Sequence, residues 1–247
     1  MEGLKLLLNQ INSSGNVEEN KRVLLRTLDE DFDVAIFPEL FYSSYLQRDG
    51  LNLRALDFEF VKQLQDRIGN RMIVFGAPVL DNFLYNSAII VSNDDIKIYR
   101  KMHPPNFGPF EELRYFKRGH SPLTVNFKGF KIGIQICYDL FFQDTLEKGL
   151  DLVVNISASP FTSYPFFERV LPARAIENQS FVVYVNTVGL QRNLVFWGGS
   201  RVIDPDGVEL QNLGKFSKKS TVVTLQKERI AIARRKRKVL EEVWDVD

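Results

Sequence analysis

Polar and apolar residues alternate with period two through Lys131 to Asp139, where Ile132, Ile134 and Ile136 interleave with Gly133, Gln135 and Cys137. This predicts a strand with one buried face, Cys137 on the opposite face at its end, and a helix-like segment over 140–149. Short apolar runs predict further strands over 4–8, 34–37, 72–80, 152–156, 181–186 and 221–225. Hairpins are expected where Phe83–Val91 meets Ile96–Lys101 across Ser-Asn-Asp-Asp, and where Leu123–Phe127 meets Phe130–Ile136 across Lys128-Gly129. Asn16 followed by Glu19 reads as a capping box opening a helix, with Leu24, Leu25 and Leu28 on one face. Leu53, Leu56, Phe60, Leu64 and Ile68 share helical spacing, and 166–179 forms a third helix. A loop rich in Pro, Gly and Phe runs from Met102 to Pro122, long enough to suggest a functional role. A turn is expected at Asp204-Pro205-Asp206-Gly207, within 195–210.

No linker, repeat or composition break divides this pattern, so residues 1–247 read as one domain. The strand and helix order suits an α/β protein built as two mixed sheets stacked face to face with helices outside. Of the 247 residues, 45% are hydrophobic, enough for a sizeable core, and a net charge of +1 favours neither nucleic acid nor an anionic membrane. One cysteine excludes an internal disulfide framework and a multi-cysteine metal site. The start MEGLKLLLNQIN is too short and polar for a signal peptide, so a soluble cytoplasmic protein is expected. The basic stretch Arg229–Lys238, within a C-terminal arm over about 227–247, suggests a nucleic-acid patch in isolation. The balanced total charge, with Glu241, Glu242, Asp245 and Asp247 following, argues instead for a solvated helix end or an arm resting on a partner subunit.

The candidate chemistry lies at strand ends. A lone cysteine is more often a small buried hydrophobe, but Cys137 at a strand terminus near backbone N–H groups suits a thiolate nucleophile. Glu39 ends a short apolar strand after Pro38, and Lys101 closes a strand whose isoleucines face the other way. Together they fit one arrangement. Glu39 would take the thiol proton and pass it to the leaving amine, while Lys101 and the Tyr138 backbone N–H would hold an oxyanion. No metal or organic cofactor is required. His103 and His120 offer a histidine base in principle, without supporting spacing.

Phe37-Pro38-Glu39, Tyr99-Arg100-Lys101-Met102-His103 and Ile136-Cys137-Tyr138-Asp139 resemble, in order and spacing, three blocks of the nitrilase superfamily of carbon–nitrogen hydrolases. The resemblance implies a four-layer α-β-β-α sandwich and a Glu39-Lys101-Cys137 triad. It also implies a further glutamate bracing the lysine, at Glu112 rather than Glu111, and assembly as a homodimer or larger. Three more stretches, Pro105–Phe110, Asn155–Phe161 and Tyr184–Asn186 through Gly199-Ser200, look like the glutaminase domain of glutamine-dependent NAD synthetase. That likeness implies glutamine as substrate, with Phe107 and Ser159 at the pocket.

Two departures weigh against glutamine. No ATP-using synthetase domain is expected within these residues, and the basic residue those glutaminases carry after the Ser-Pro-aromatic block is replaced by Thr162-Ser163-Tyr164-Pro165-Phe166-Phe167. If that aromatic, uncharged run lines the pocket, with Phe161 and Tyr164 among the pocket residues, a neutral aliphatic or aromatic amide is the better guest, because a buried carboxylate without a partner is costly. Arg169 or Arg174 remains within reach from the following helix. The expected function is therefore an amidase releasing ammonia from a small carboxamide. The alternatives are a nitrilase using the same residues, a stand-alone glutaminase, and a non-catalytic subunit on the same scaffold.

Overall fold

The computed structural model describes residues 3–45 and 51–242. In chain order, the first half comprises β1 (Leu4–Gln10), α1 (Val17–Thr27), β2 (Val34–Ile36), α2 (Phe58–Ile68), β3 (Met72–Leu80), β4 (Leu84–Ser92) and β5 (Ile96–Arg100). The short α3 (Glu112–Tyr115) precedes β6 (Leu123–Phe127), β7 (Phe130–Ile136) and β8 (Leu152–Ser157). After α4 (Tyr164–Asn178) come β9 (Phe181–Asn186), β10 (Val188–Gln191), β11 (Leu194–Trp197), β12 (Arg201–Ile203), β13 (Glu209–Asn212) and β14 (Lys219–Leu225). The described chain ends with α5 (Glu228–Lys236) and α6 (Val239–Glu242).

One sheet has the order β14-β1-β2-β3-β4-β5 and the other β13-β12-β9-β8-β7-β6, with β10 and β11 forming a separate hairpin. Both sheets are mixed: β1-β2-β3 and β7-β8-β9 run parallel, and the outer strands pair antiparallel. Period-two alternation separates two cores. Leu6, Leu8, Ile36 and Val74 pack in one cluster with Ile132, Ile134 and Ile136 of the other sheet. Leu7, Ala35, Ile73 and Phe75 point outward beneath Leu24 of α1 and Phe60, Leu64 and Ile68 of α2. On the far side, Phe167, Leu171 and Ala175 of α4 cover the second sheet. The layers are helix, sheet, sheet, helix in a single domain.

Several expectations are corrected in detail. The helix expected over 140–149 is instead two short 3₁₀ segments, Cys137–Phe141 and Gln143–Thr145. The buried Asp139 carboxylate caps the backbone at Ile136 and His103, which fixes a tight turn where a helix would otherwise propagate. Leu53 is 93% exposed in a 3₁₀ turn, so the second helix begins only after Asp57, whose side chain accepts from the Glu59 N–H. Asn16 does cap α1 through the Glu18 N–H, but the Glu19 carboxylate accepts from Ser14 Oγ, so the reciprocal box is absent. The strand hairpin β10-β11 was not anticipated.

The basic arm packs against the body of the chain. Ile230 and Ala233 are buried, and several cations in and flanking α5 are paired: Lys227 with Asp151, Arg229 with Asp204, and Lys236 and Arg237 with Asp206. Asp245 and Asp247, expected to offset these charges, lie outside the described residues, as do the side chains of Glu241 and Glu242. No helix among the described residues is long and apolar enough to cross a membrane.

Candidate active site

Strands β2 and β7 each sit within a parallel trio and send their carboxyl ends toward one crevice, the usual location for ligands in such sheets. Glu39 lies just beyond β2. Its approach depends on Gly76 of β3, where a Cβ would stand 2.1 Å from the Leu40 nitrogen and 2.7 Å from the Glu39 Cα. Lys101 follows β5 and is held by its own N–H donating to Asn86 O (2.9 Å) and by Gly119 N–H donating to its carbonyl (2.8 Å). A Cβ on Gly119 would meet Arg100 O at 2.0 Å, so this close crossing also requires glycine.

Lys101 Nζ donates to Glu39 Oε1 at 2.7 Å and to Glu112 Oε1 at 2.9 Å, and all three residues are at most 5% exposed. Asn86 Nδ2 donates to Glu39 Oε1 (2.7 Å) and to Glu112 Oε2 (3.4 Å). Tyr45 OH donates to Glu112 Oε1 at 2.6 Å, and the Ala158 N–H donates to Glu39 Oε2 at 2.8 Å. Burial opposes the ammonium of Lys101, but the carboxylates of Glu112 and Glu39 outweigh it and raise its pKa, so the lysine stays charged. Burial, reinforced by the nearby Glu39 charge and offset in part by Lys101, pushes Glu112 up to about 7. Glu111, by contrast, is exposed.

Cys137 begins the turn after β7 with φ of +49°, a left-handed conformation uncommon for a residue bearing a side chain. The surrounding structure enforces it. Asp139 accepts from Ile136 N–H (3.2 Å), His103 N–H (2.8 Å) and Tyr99 OH (2.9 Å), and Asn155 Nδ2 donates to Cys137 O at 3.2 Å. The expectation of a resting thiolate is corrected here. Burial, with the negative charge of Glu39, raises the thiol pKa well above its usual range, outweighing the attraction of Lys101 and a hydrogen bond from Ser157. The thiol therefore rests protonated, and any attack by sulfur needs a base at that moment.

A cavity of about 310 Å³ opens above Cys137 and Tyr138. Phe107 and Ser159 line it. Phe161 and Tyr164, expected on the same wall, are not among the lining residues: their rings stack on each other, with Phe161 against Phe216 and Tyr164 against Trp197. Ser163, Phe166 and Phe167 of the same run do line it, Phe167 buried within the helix start and Phe166 exposed at the rim. His103 is engaged with Asp144 and stacked on Phe142, away from the thiol cluster. Asn86 and Tyr45 went unread in the sequence; nothing local in Leu84–Ser92 or Phe41–Tyr45 distinguishes them from ordinary strand and loop residues. Among the described residues, no group of three or more His, Cys, Asp or Glu side chains is arranged to hold a metal ion.

A buried thiol beside a carboxylate and a permanent ammonium is equipped for acyl transfer. The sequence profile described as carbon-nitrogen hydrolase matches residues 7–235. The chain belongs to the carbon–nitrogen hydrolase family. It is 36% identical to the glutamine-dependent NAD(+) synthetase of Aquifex aeolicus, over 98% of this chain and 45% of that protein. It is 32% identical to the (R)-stereoselective amidase of a Pseudomonas species, over 85% of this chain and 79% of the amidase. Among solved structures, XC1258 of Xanthomonas campestris, a CN-hydrolase superfamily protein with an arsenic adduct in its active site, superposes with a TM-score of 0.87. It is 25% identical, and the match covers 98% of this chain and 97% of that one. The chain spans less than half the length of the NAD synthetases it matches. This carbon–nitrogen hydrolase thus has the nitrilase-superfamily sandwich and is similar to part of those synthetases.

Proposed function

We propose that the chain is an amidase that converts a small carboxamide to its carboxylic acid and ammonia through a thioester. Glu39 takes the proton of Cys137 as sulfur adds to the amide carbon, and Lys101 with the Tyr138 N–H holds the resulting oxyanion. Glu39 returns the proton to the amide nitrogen, the C–N bond breaks and ammonia leaves. Water then attacks the thioester, giving its proton to Glu39, and the sulfur departs as the thiol reprotonates. Glu112 holds Lys101, and the Asn86 amide, donating to both Glu39 and Glu112, fixes the two carboxyl groups relative to each other. The observation that supports this reading is the buried Glu39–Lys101–Glu112 cluster, whose charges bear on the thiol of Cys137 at the foot of the cavity.

A stand-alone glutaminase is the second reading, favoured by the 36% identity to a glutamine-dependent NAD(+) synthetase. Incubation with a panel of amides, nitriles and glutamine, with ammonia as the readout, separates the readings. Ammonia from carboxamides in the wild type, and none from Cys137→Ala, is the expected outcome. Ammonia from nitriles alone, or turnover that survives Cys137→Ala, rejects the amidase.

A further inference from the structure

We propose that the cavity above Cys137 selects carboxamides whose acyl group is uncharged and ends in an aryl or similarly bulky hydrocarbon, and excludes amino-acid amides such as glutamine. This deepens the amidase reading and rests on it.

The walls are aromatic and interlocked. Phe141 packs edge-to-face on Phe167 with centroids 5.3 Å apart, forming the back. Phe107 packs on Phe110 at 5.7 Å and on Tyr138 at 5.3 Å, forming one side. At the rim, Phe107 and Phe166 are 53% and 59% exposed, so two phenyl rings present apolar surface beside the entrance that an apolar guest would cover.

Among the described residues, none of the side chains lining the cavity is ionised. The charges of Glu39, Lys101 and Glu112 are committed to one another and to neutral donors. Arg174, within reach by sequence, donates instead to the carbonyls of Leu140 and Phe141 and pairs with Glu177. Arg169 is exposed and does not line the cavity. Glutamine would therefore bring an α-carboxylate and an α-ammonium among phenyl rings, with the neutral hydroxyls of Ser159 and Ser163 in place of counter-ions, which strongly disfavours it.

Size agrees with chemistry. An apolar cavity of about 150 Å³ is enough to hold benzene, so about 310 Å³ leaves room for a ring and a short linker reaching the thiol. Each buried methylene is worth about fourfold in binding. An arylalkyl amide should therefore exceed acetamide by roughly 100-fold or more.

The test uses two measurements. Binding of 3-phenylpropanamide, acetamide and L-glutamine to Cys137→Ala by calorimetry reports the cavity's preference independently of turnover, and ammonia release by the wild type reports the chemistry. Binding of the aryl amide at least about 100-fold tighter than glutamine supports the proposal; equal or tighter binding of glutamine overturns it. Aryl-selective binding without ammonia release in the wild type supports the cavity's preference and rejects the amidase reading instead. Phe166→Ala, at an exposed rim position that tolerates truncation, should weaken 3-phenylpropanamide binding at least about tenfold, and unchanged binding counts against the proposal.

Discussion

At the scale of single residues, the site depends on charges that burial makes costly. Glu112 carries its proton up to about pH 7 in the folded protein, whereas an unfolded glutamate releases it near 4.5. Between those values the folded chain binds more protons at this site, so the contribution of Glu112 to stability is fully present below about 4.5 and is lost as pH rises through 7. The loss is on the order of 3 kcal/mol. Urea denaturation from pH 5 to 8 should show this slope in the wild type and a flatter profile in Glu112→Gln; parallel profiles would contradict the assignment. Lys101 sits between two buried carboxylates, and Lys101→Ala leaves both uncompensated. It should lose about 3–5 kcal/mol of stability as well as turnover, so its effect on kcat is best read at a temperature where the variant remains folded. A variant as stable as the wild type would show that the carboxylates find other partners.

At the scale of elements, the site is set by how closely loops cross strands. Gly76 admits the Glu39 turn against β3, and a methyl group there must displace backbone rather than a flexible side chain. Gly76→Ala is expected to move the carboxylate and reduce kcat at least about 100-fold, with far-UV circular dichroism little changed. A wild-type kcat would show that the turn accommodates the methyl. The same scale explains what the pattern along the chain did and did not reveal. Period-two alternation fixed β7 and the position of Cys137 at its end, because strand periodicity is a local property. The segment after Cys137 has helical composition, yet its carbonyls and N–H groups are tied by Asp139, Gln135 and Thr145 into 3₁₀ turns, a constraint written in contacts rather than in propensity.

At the scale of the whole molecule, the chain's last described helices act as a clasp on the second sheet. The run of basic residues would suggest an exposed cationic surface, but the carboxylates of Asp151, Asp204 and Asp206, distant in sequence, lie under it. Duplex DNA should therefore bind weakly, with the loose, salt-dependent affinity of any surface lysine. Ile230 is buried on the inner face of α5, and Ile230→Ala should cost about 2–5 kcal/mol in urea denaturation. A cost below about 1 kcal/mol would mean that the helix contributes little to holding the body together.

Local order along the chain determined which residue types stand at which strand ends: a carboxylate after Pro38, a lysine closing β5, a cysteine closing β7. Those positions follow from patterns a few residues long, and three family-like blocks gave them a chemical meaning. Tertiary structure alone decided which groups meet and in what protonation state. Glu39 and Lys101 lie 62 positions apart, yet share a hydrogen bond because β2 and β5 belong to one sheet and their carboxyl-end loops meet at one crevice. Glu112 joins them while Glu111 faces solvent, Phe166 and Phe167 line the cavity where Phe161 and Tyr164 do not, and Cys137 keeps its proton. Each outcome depends on burial and on partners distant in sequence, since desolvation and ion pairing act through space and leave no periodic trace along the chain.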